Sequence, residues 1–309
     1  MNIKIGESDF ERMFQLEKSG IPDMARDRFK EYDLTCHTPT AEDLDEYVLT
    51  YLGLEEENAP ARQREENLAA FEEGWQENLE QLRTCSPEGY ETALKPKYFR
   101  GSKFLRYNNT IVVTENLQLE YELFVIARLC LFDRYLKHAE TIVELGSGTC
   151  SNLLLLSTMF PDVRLVGLDW TLSSSNIADE LGRRFSRPII GRVFDMFAPD
   201  PLLEINEGSA IISIHAFEQL GREFKAVLDF VISARPSVVM QYEPILEFYE
   251  DTSLDRYAIG YCRRRGYLEG YYGRLREMER EGSITILAAY RPYLGGVLHE
   301  HSVLVWNPV

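Results

Sequence analysis

The chain has 309 residues, 45% of them apolar, and a formal net charge of −17. That length suits one large domain or two modest ones, with enough apolar side chains for a sizeable core. The charge argues against a nucleic-acid partner, because neutralising phosphates needs clustered Lys and Arg.

The five cysteines, Cys36, Cys85, Cys130, Cys150 and Cys262, form no Cys-x-x-Cys pair. Neither a zinc knuckle nor a redox motif is indicated, and an odd count suits a reducing compartment. Residues 1–10 are polar and charged and do not read as a signal peptide. No apolar run approaches the ~20 residues that span a bilayer. The expectation is a cytoplasmic protein with no membrane and no nucleic-acid partner; a homodimer is left open.

From the N-terminus, Asp9–Lys18, Asp23–Tyr32, Ala41–Leu54 and Ala61–Arg83 show helical apolar spacing. Thr40, followed by Glu42 and Asp43, reads as a helix N-cap with acids in the first turn. Between Ala41 and Thr92 only Arg62, Arg64 and Arg83 offset many acids. Ser86–Thr114 reads as irregular, punctuated by Pro87, Pro96 and Gly101. Within it, residues 95–107 carry Lys95, Lys97, Arg100, Lys103 and Arg106 among aromatics, with no acid. Such a loop can serve as a lid, Arg100 or Arg106 binding a carboxylate of a cofactor or substrate and Tyr98 and Tyr107 lining the site. The other reading is neutralisation of the acidic helices. Leu117–Leu136 is an apolar helix suited to packing on a sheet.

From Thr141 strands and helices alternate. Strands are expected near 141–145, 163–168, 189–194, 209–215 and 236–242, and helices near 151–159, 173–186, 217–233 and 253–265. This spacing implies right-handed crossovers and a parallel sheet. Ile284–Tyr290 and Ser302–Trp306 have only a loop between them and read as an antiparallel pair. The predicted fold is therefore α/β: a Rossmann-like, mostly parallel sheet with a C-terminal antiparallel hairpin, plus an N-terminal helical cap. The cap spans 1–137 and the sheet domain 138–309.

The chemistry concentrates at the strand ends. Ile142-Val143-Glu144-Leu145-Gly146-Ser147-Gly148 reads as a strand ending in an acid, then a glycine turn. Glycine there lets the backbone approach a ligand closely. Ser151 and Asn152 are good N-caps for the helix that follows. The next two strands end at Asp169-Trp170 and Asp195-Met196. The fourth runs into His215-Ala216-Phe217-Glu218-Gln219, and the fifth into Glu243.

The series Glu144, Gly146, Gly148, then Asp169 and Asp195, resembles the class I S-adenosylmethionine-dependent methyltransferases of small-molecule type. Cys150 stands where that family has its third glycine. The resemblance covers the C-terminal domain. It implies S-adenosyl-L-methionine as cofactor and a small-molecule substrate of metabolite or natural-product type, methylated at O, N or C. It further implies that Gly146 and Gly148 lie against the donor's methionine portion and that Glu144 positions its amino group. Asp169 would take the ribose hydroxyls, with Trp170, Asp195 and Met196 around the adenine. His215 would be a general base or a donor contact without a proton role. Glu243 would orient an amine, act as a base or help hold a metal. His299-Glu300-His301 could join His215 or Glu243 around a metal, but His-x-His is common by chance and no metal is expected. The tyrosines after strand five, Tyr261 and Tyr271 among them, would line a substrate pocket or simply sit on a solvated helix. Two rival functions remain: donor binding without methyl transfer, and a nicotinamide (NAD-dependent) oxidoreductase.

Overall fold

The computed structural model describes residues 1–56 and 64–309. The predicted helix over 61–83 therefore begins outside the described residues. The N-terminal part contains β1 (Asn2–Lys4), α1 (Glu7–Met13), α2 (Asp23–Glu31), β2 (Thr35–His37), α3 (Ala41–Glu56), α4 (Arg64–Thr84) and α5 (Tyr90–Ala93). It continues through β3 (Phe104–Tyr107), β4 (Thr110–Val113) and α6 (Leu119–Leu136). The start of α3 is capped reciprocally: the Asp43 N–H donates to the Thr40 hydroxyl at 3.2 Å, and the Thr40 N–H donates to the Asp43 carboxylate at 2.9 Å.

The C-terminal part follows as β5 (Thr141–Leu145), α7 (Ser151–Met159), β6 (Arg164–Asp169), α8 (Leu172–Phe185), β7 (Ile189–Val193) and β8 (Ala210–Ile214). Then come α9 (Lys225–Ser233), β9 (Val238–Glu243), α10 (Ser253–Arg264), α11 (Tyr271–Arg280), β10 (Ile284–Tyr290), β11 (Leu294–Gly296) and β12 (Ser302–Pro308).

The main sheet has seven strands in the order β10-β12-β9-β8-β5-β6-β7. β5 through β9 run parallel, with Val143 beside both Val166 and Ile211. β12 enters antiparallel between β9 and β10. This is the expected parallel sheet closed by an antiparallel hairpin. Its strands are buried on both faces, as helix-covered parallel sheets are. Ile142, Leu165, Ile212 and Met240 pack against α6, α7 and α8. Val143, Ile211 and Val239 face α9 and α11. The strand order reverses between β5 and β8, and at that switch point a crevice opens at the carboxyl ends of the strands.

The N-terminal part is not purely helical. Strands β1, β2, β4 and β3 form a second, antiparallel sheet, completed by β11 from the far end of the chain. The region read as irregular, 86–114, thus contains a β3–β4 hairpin. These strands have only three or four residues, and β3 is buried at all four positions, so no alternation marks them. The helix expected over 217–233 divides into a 3-10 turn (Phe217–Leu220) and α9. The break falls at Gly221, whose φ is +57° and where a Cβ would lie 2.8 Å from the Gly266 carbonyl oxygen.

Candidate functional site

The turn after β5 lays the base of the crevice. Gly146 has φ +75°, and a Cβ there would sit 2.3 Å from that of Ala216, so the β5 and β8 turns touch only because residue 146 is glycine. Gly148, at φ +49°, faces the Trp75 ring. α7 starts after a left-handed Cys150, with no side-chain cap. The expected caps are used elsewhere. Asn152 donates to Glu144 at 2.5 Å and accepts from Arg128 at 2.6 Å, while Ser151 also accepts from Arg128. Glu144 is fully buried, and burial pushes its carboxyl up to about 8. It braces the turn from behind and does not line the crevice.

Asp169 does line it. One carboxylate oxygen accepts from the Gly148 N–H at 2.9 Å; the other accepts from the N–H and hydroxyl of Thr171 at 2.9 and 2.7 Å. Three of its roughly four acceptor positions are thus used. Burial raises its pKa. The crevice is lined by Gly146, Gly148, Asp169, Trp170, Asp195, Met196 and His215. Asp195 caps the turn after β7, accepting from the Phe197 N–H at 2.9 Å.

α4 closes the crevice from above. Phe71 and Trp75 stack on each other, and Phe71 lies 6.1 Å from Trp170. Glu72 accepts from the first N–H groups of α8, at 2.8 Å from Leu172. Arg64 pairs with Asp195. The helix is expected from the apolar spacing of 61–83, but that spacing assigns no site role to Phe71 and Trp75, four residues apart.

The turn after β8 forms the other wall with His215, Ala216, Gln219 and Leu220, and the segment entering β12 packs behind it. His215 has φ +59°. Its Nδ1 shares a 2.6 Å hydrogen bond with His301 Nε2, and Tyr98 stacks on its ring at 4.2 Å. Burial holds His215 down at about 4 and His301 well below its ordinary range, so both are neutral at pH 7. Glu218 was quoted from the sequence without a role. It is buried, 2.7 Å from His299 Nε2 and 3.6 Å from His215 Nε2. Burial raises its pKa, but the imidazoles of His215 and His299 outweigh that and hold it at about 2. His299 is lowered by burial and raised more by Glu218, for a net increase. Among the described residues, His215, Glu218 and His299 form a group able to hold a metal ion.

Glu243 faces away from the crevice. Its carboxylate accepts from the Ser213 hydroxyl at 2.5 Å and from the Ala216 and Phe217 N–H groups at 3.0 and 3.1 Å. It anchors the turn that carries His215. Burial, with help from nearby Glu218, pushes it up to about 7.

The basic segment is largely spoken for. Lys97 pairs with Glu77, and Lys103 lies 2.7 Å from Glu46. Arg106 is fully buried in β3, bonded to Asp255, to the Val297 carbonyl at 2.6 Å and to the Leu254 carbonyl. It does not reach the crevice. Tyr107 donates to Asp9 at 2.8 Å, and Tyr271 to Gln241 at 2.9 Å on the opposite face of the sheet, so neither lines the site. Arg100 has no ion pair among the described residues. With Tyr261, Arg265 and His299 it lines a second, wider cavity, which His299 borders and His215 does not.

No family model and no curated protein matches the sequence. Several solved structures resemble the chain in outline. Geranyl diphosphate C-methyltransferase from Streptomyces coelicolor A3(2) is 12% identical, with 81% of this chain and 100% of that one covered at a TM-score of 0.47. The pyocyanin biosynthetic protein PhzM is 13% identical, with 80% and 74% covered at 0.43. The [4+2]-cyclase SpnF is 11% identical, with 59% and 80% covered at 0.44.

Proposed function

We propose that this chain binds S-adenosylmethionine and transfers its methyl group to a small molecule. The observation that carries the reading is the crevice at the sheet's switch point: a glycine turn held against a buried Asp169, with Trp170, Asp195 and Met196 beyond it. That order matches a donor laid from its methionine end at Gly146 and Gly148 to its adenine end at Asp195. The free acceptor position on Asp169 would take a ribose hydroxyl, and the adenine amino group would meet Asp195 in place of Arg64.

His215 and Ala216 then stand by the sulfonium end, and the wider cavity beyond His299 is where Arg100 and Tyr261 would receive the acceptor. In the reaction an acceptor lone pair attacks the methyl carbon in line with the sulfur. The C–S bonding pair passes to sulfur, leaving a neutral sulfide, and the acceptor's proton goes to a base or to water. Holding the partners in line supplies much of the rate. His215, neutral and with Nδ1 tied to His301, acts chiefly by position.

Calorimetry with S-adenosylhomocysteine and with NAD tests the reading. Binding of the first and not of the second is expected; the reverse sinks the proposal. Incubating the donor with candidate acceptors and following its demethylation then separates methyl transfer from donor binding alone, because one sheet architecture hosts many activities.

A further inference from the structure

Glu218 has no part in the methyl transfer just described, yet it is the acid closest to His215 and His299. The ligand atoms of these three residues all lie within 4.8 Å of one another. They come from three places: the end of β8, the 3-10 turn after it, and the segment entering β12. His215 and Glu218 are close neighbours in the chain, but His299 joins them from a distant segment, which marks a built site, unlike a run of neighbouring acids.

Two further observations point to a ligand. Glu218 Oε2 and His299 Nε2 stand 2.7 Å apart as a buried pair, and neither atom has a further hydrogen-bond partner. A carboxylate oxygen and an imidazole nitrogen so placed can share a metal ion in place of a proton. In addition, the 2.6 Å bond between His215 Nδ1 and His301 leaves the Nε2 of His215 as the nitrogen that faces Glu218. Fixing the far nitrogen in this way is how metal-ligating histidines are oriented. The cluster also forms the partition between two cavities, since His215 lines the donor crevice and His299 the wider one.

We propose that His215, Glu218 and His299 hold a divalent first-row transition-metal ion, and that the acceptor is a small molecule presenting oxygen atoms to it. Two imidazoles and one carboxylate suit such ions and leave coordination positions open. Those positions are available to a ligand arriving from the wider cavity. The metal site stands on its own geometry; only the acceptor clause rests on the methyl-transfer reading.

Cobalt(II) is a suitable probe because its visible absorption reports coordination. Protein stripped with a chelator and dialysed should bind one Co²⁺ per chain. Glu218→Gln and His299→Ala should each weaken that binding by at least about tenfold. Both variants should keep wild-type affinity for S-adenosylhomocysteine, which shows that the fold and the donor crevice survive. Absence of stoichiometric Co²⁺ binding, or equal binding by the variants, overturns the metal site. Catechol or oxalate should shift the cobalt spectrum; if neither does, the acceptor clause falls. Co²⁺ binding without binding of the homocysteine product overturns the methyl-transfer reading instead and leaves the metal site standing.

Discussion

Two buried polar clusters meet at three consecutive residues, and they differ in kind. Glu300 belongs to one, with Arg106, Arg291 and Asp255; His299 and His301 belong to the other, with His215 and Glu218. In the first, cations and acids balance. Arg291 reaches Asp255 at 2.6 Å and Glu300 at 2.6 Å, and Arg106 adds two backbone carbonyls. It ties β3 and α10 to the segment ahead of β12. In the second, one carboxylate faces two of three imidazoles, the third reaching it only through His215, and the group borders two cavities. Each cluster keeps a carboxylate oxygen without a hydrogen-bond partner, Glu300 Oε1 in the first and Glu218 Oε2 in the second; the difference is that the first balances its charges inside the fold, whereas the second opens on two cavities and is available to a ligand.

The largest expected effect lies in the first cluster. Asp255→Asn should cost about 3–5 kcal/mol of stability, because it leaves two buried guanidinium groups with a single carboxylate, Glu300, between them. Urea denaturation measures this, and a cost below about 1 kcal/mol would mean that the cluster is not the tie described. While folded, the variant should bind S-adenosylhomocysteine as wild type does, since Arg106 lies away from the crevice.

Asp169→Ala comes next. It should lose about 1–3 kcal/mol of affinity for S-adenosylhomocysteine, the usual cost of an unpaired polar group. Undiminished binding in calorimetry would remove Asp169 from the donor site.

The clusters should also part company with pH. His215 sits at about 4 against an ordinary 6.5, so the unfolded chain takes up a proton that the native state refuses. Stability from this source is full above about 6.5 and falls as pH drops toward 4. Asp255, held at about 2 against an ordinary 3.8, contributes a loss only below that higher value. Glu243, raised to about 7 from 4.5, acts in the opposite sense, losing stability as pH rises through that window. Comparison with His215→Asn isolates the histidine: its stability should slope less between pH 6.5 and 4 than that of wild type. Parallel curves would contradict a buried neutral His215.

The smallest effect is expected at Arg64, whose pairing with Asp195 is half exposed. Arg64→Ala should change stability by no more than about 1 kcal/mol. It should leave affinity for S-adenosylhomocysteine undiminished or improved, since Arg64 holds the oxygen that the adenine would use. A marked loss of affinity would make Arg64 a ligand contact and not a competitor.

The sheet domain was legible in the sequence for a physical reason. Strands buried on both faces need unbroken apolar runs, and glycine turns with terminal acids punctuate them, so β5 to β9 and the closing hairpin announce themselves locally. That Gly146, Gly148, Asp169 and Asp195 gather at the crevice follows from chain order, because each lies at or just past a strand end on the same sheet edge. The second sheet was not legible. Its strands are too short for a period, and β11 arrives from nearly two hundred residues away, pairing Leu294 with Tyr107.

Side-chain partners were likewise decided in three dimensions. A basic run in the sequence says nothing of where each cation points. Arg106 turned inward to Asp255 and Lys103 outward to Asp43 and Glu46. Glu243 ends a strand on the ligand edge as expected, but the backbone N–H groups of Ala216 and Phe217 claimed its carboxylate. His215 and Glu218 could be seen as neighbours, three residues apart. That His299 joins them, and that Glu300 between two histidines belongs to a different cluster, depends on β12 being inserted beside β9. Local sequence determined which strands form and what ends them; the order of strands in the sheet decided which of those ends meet.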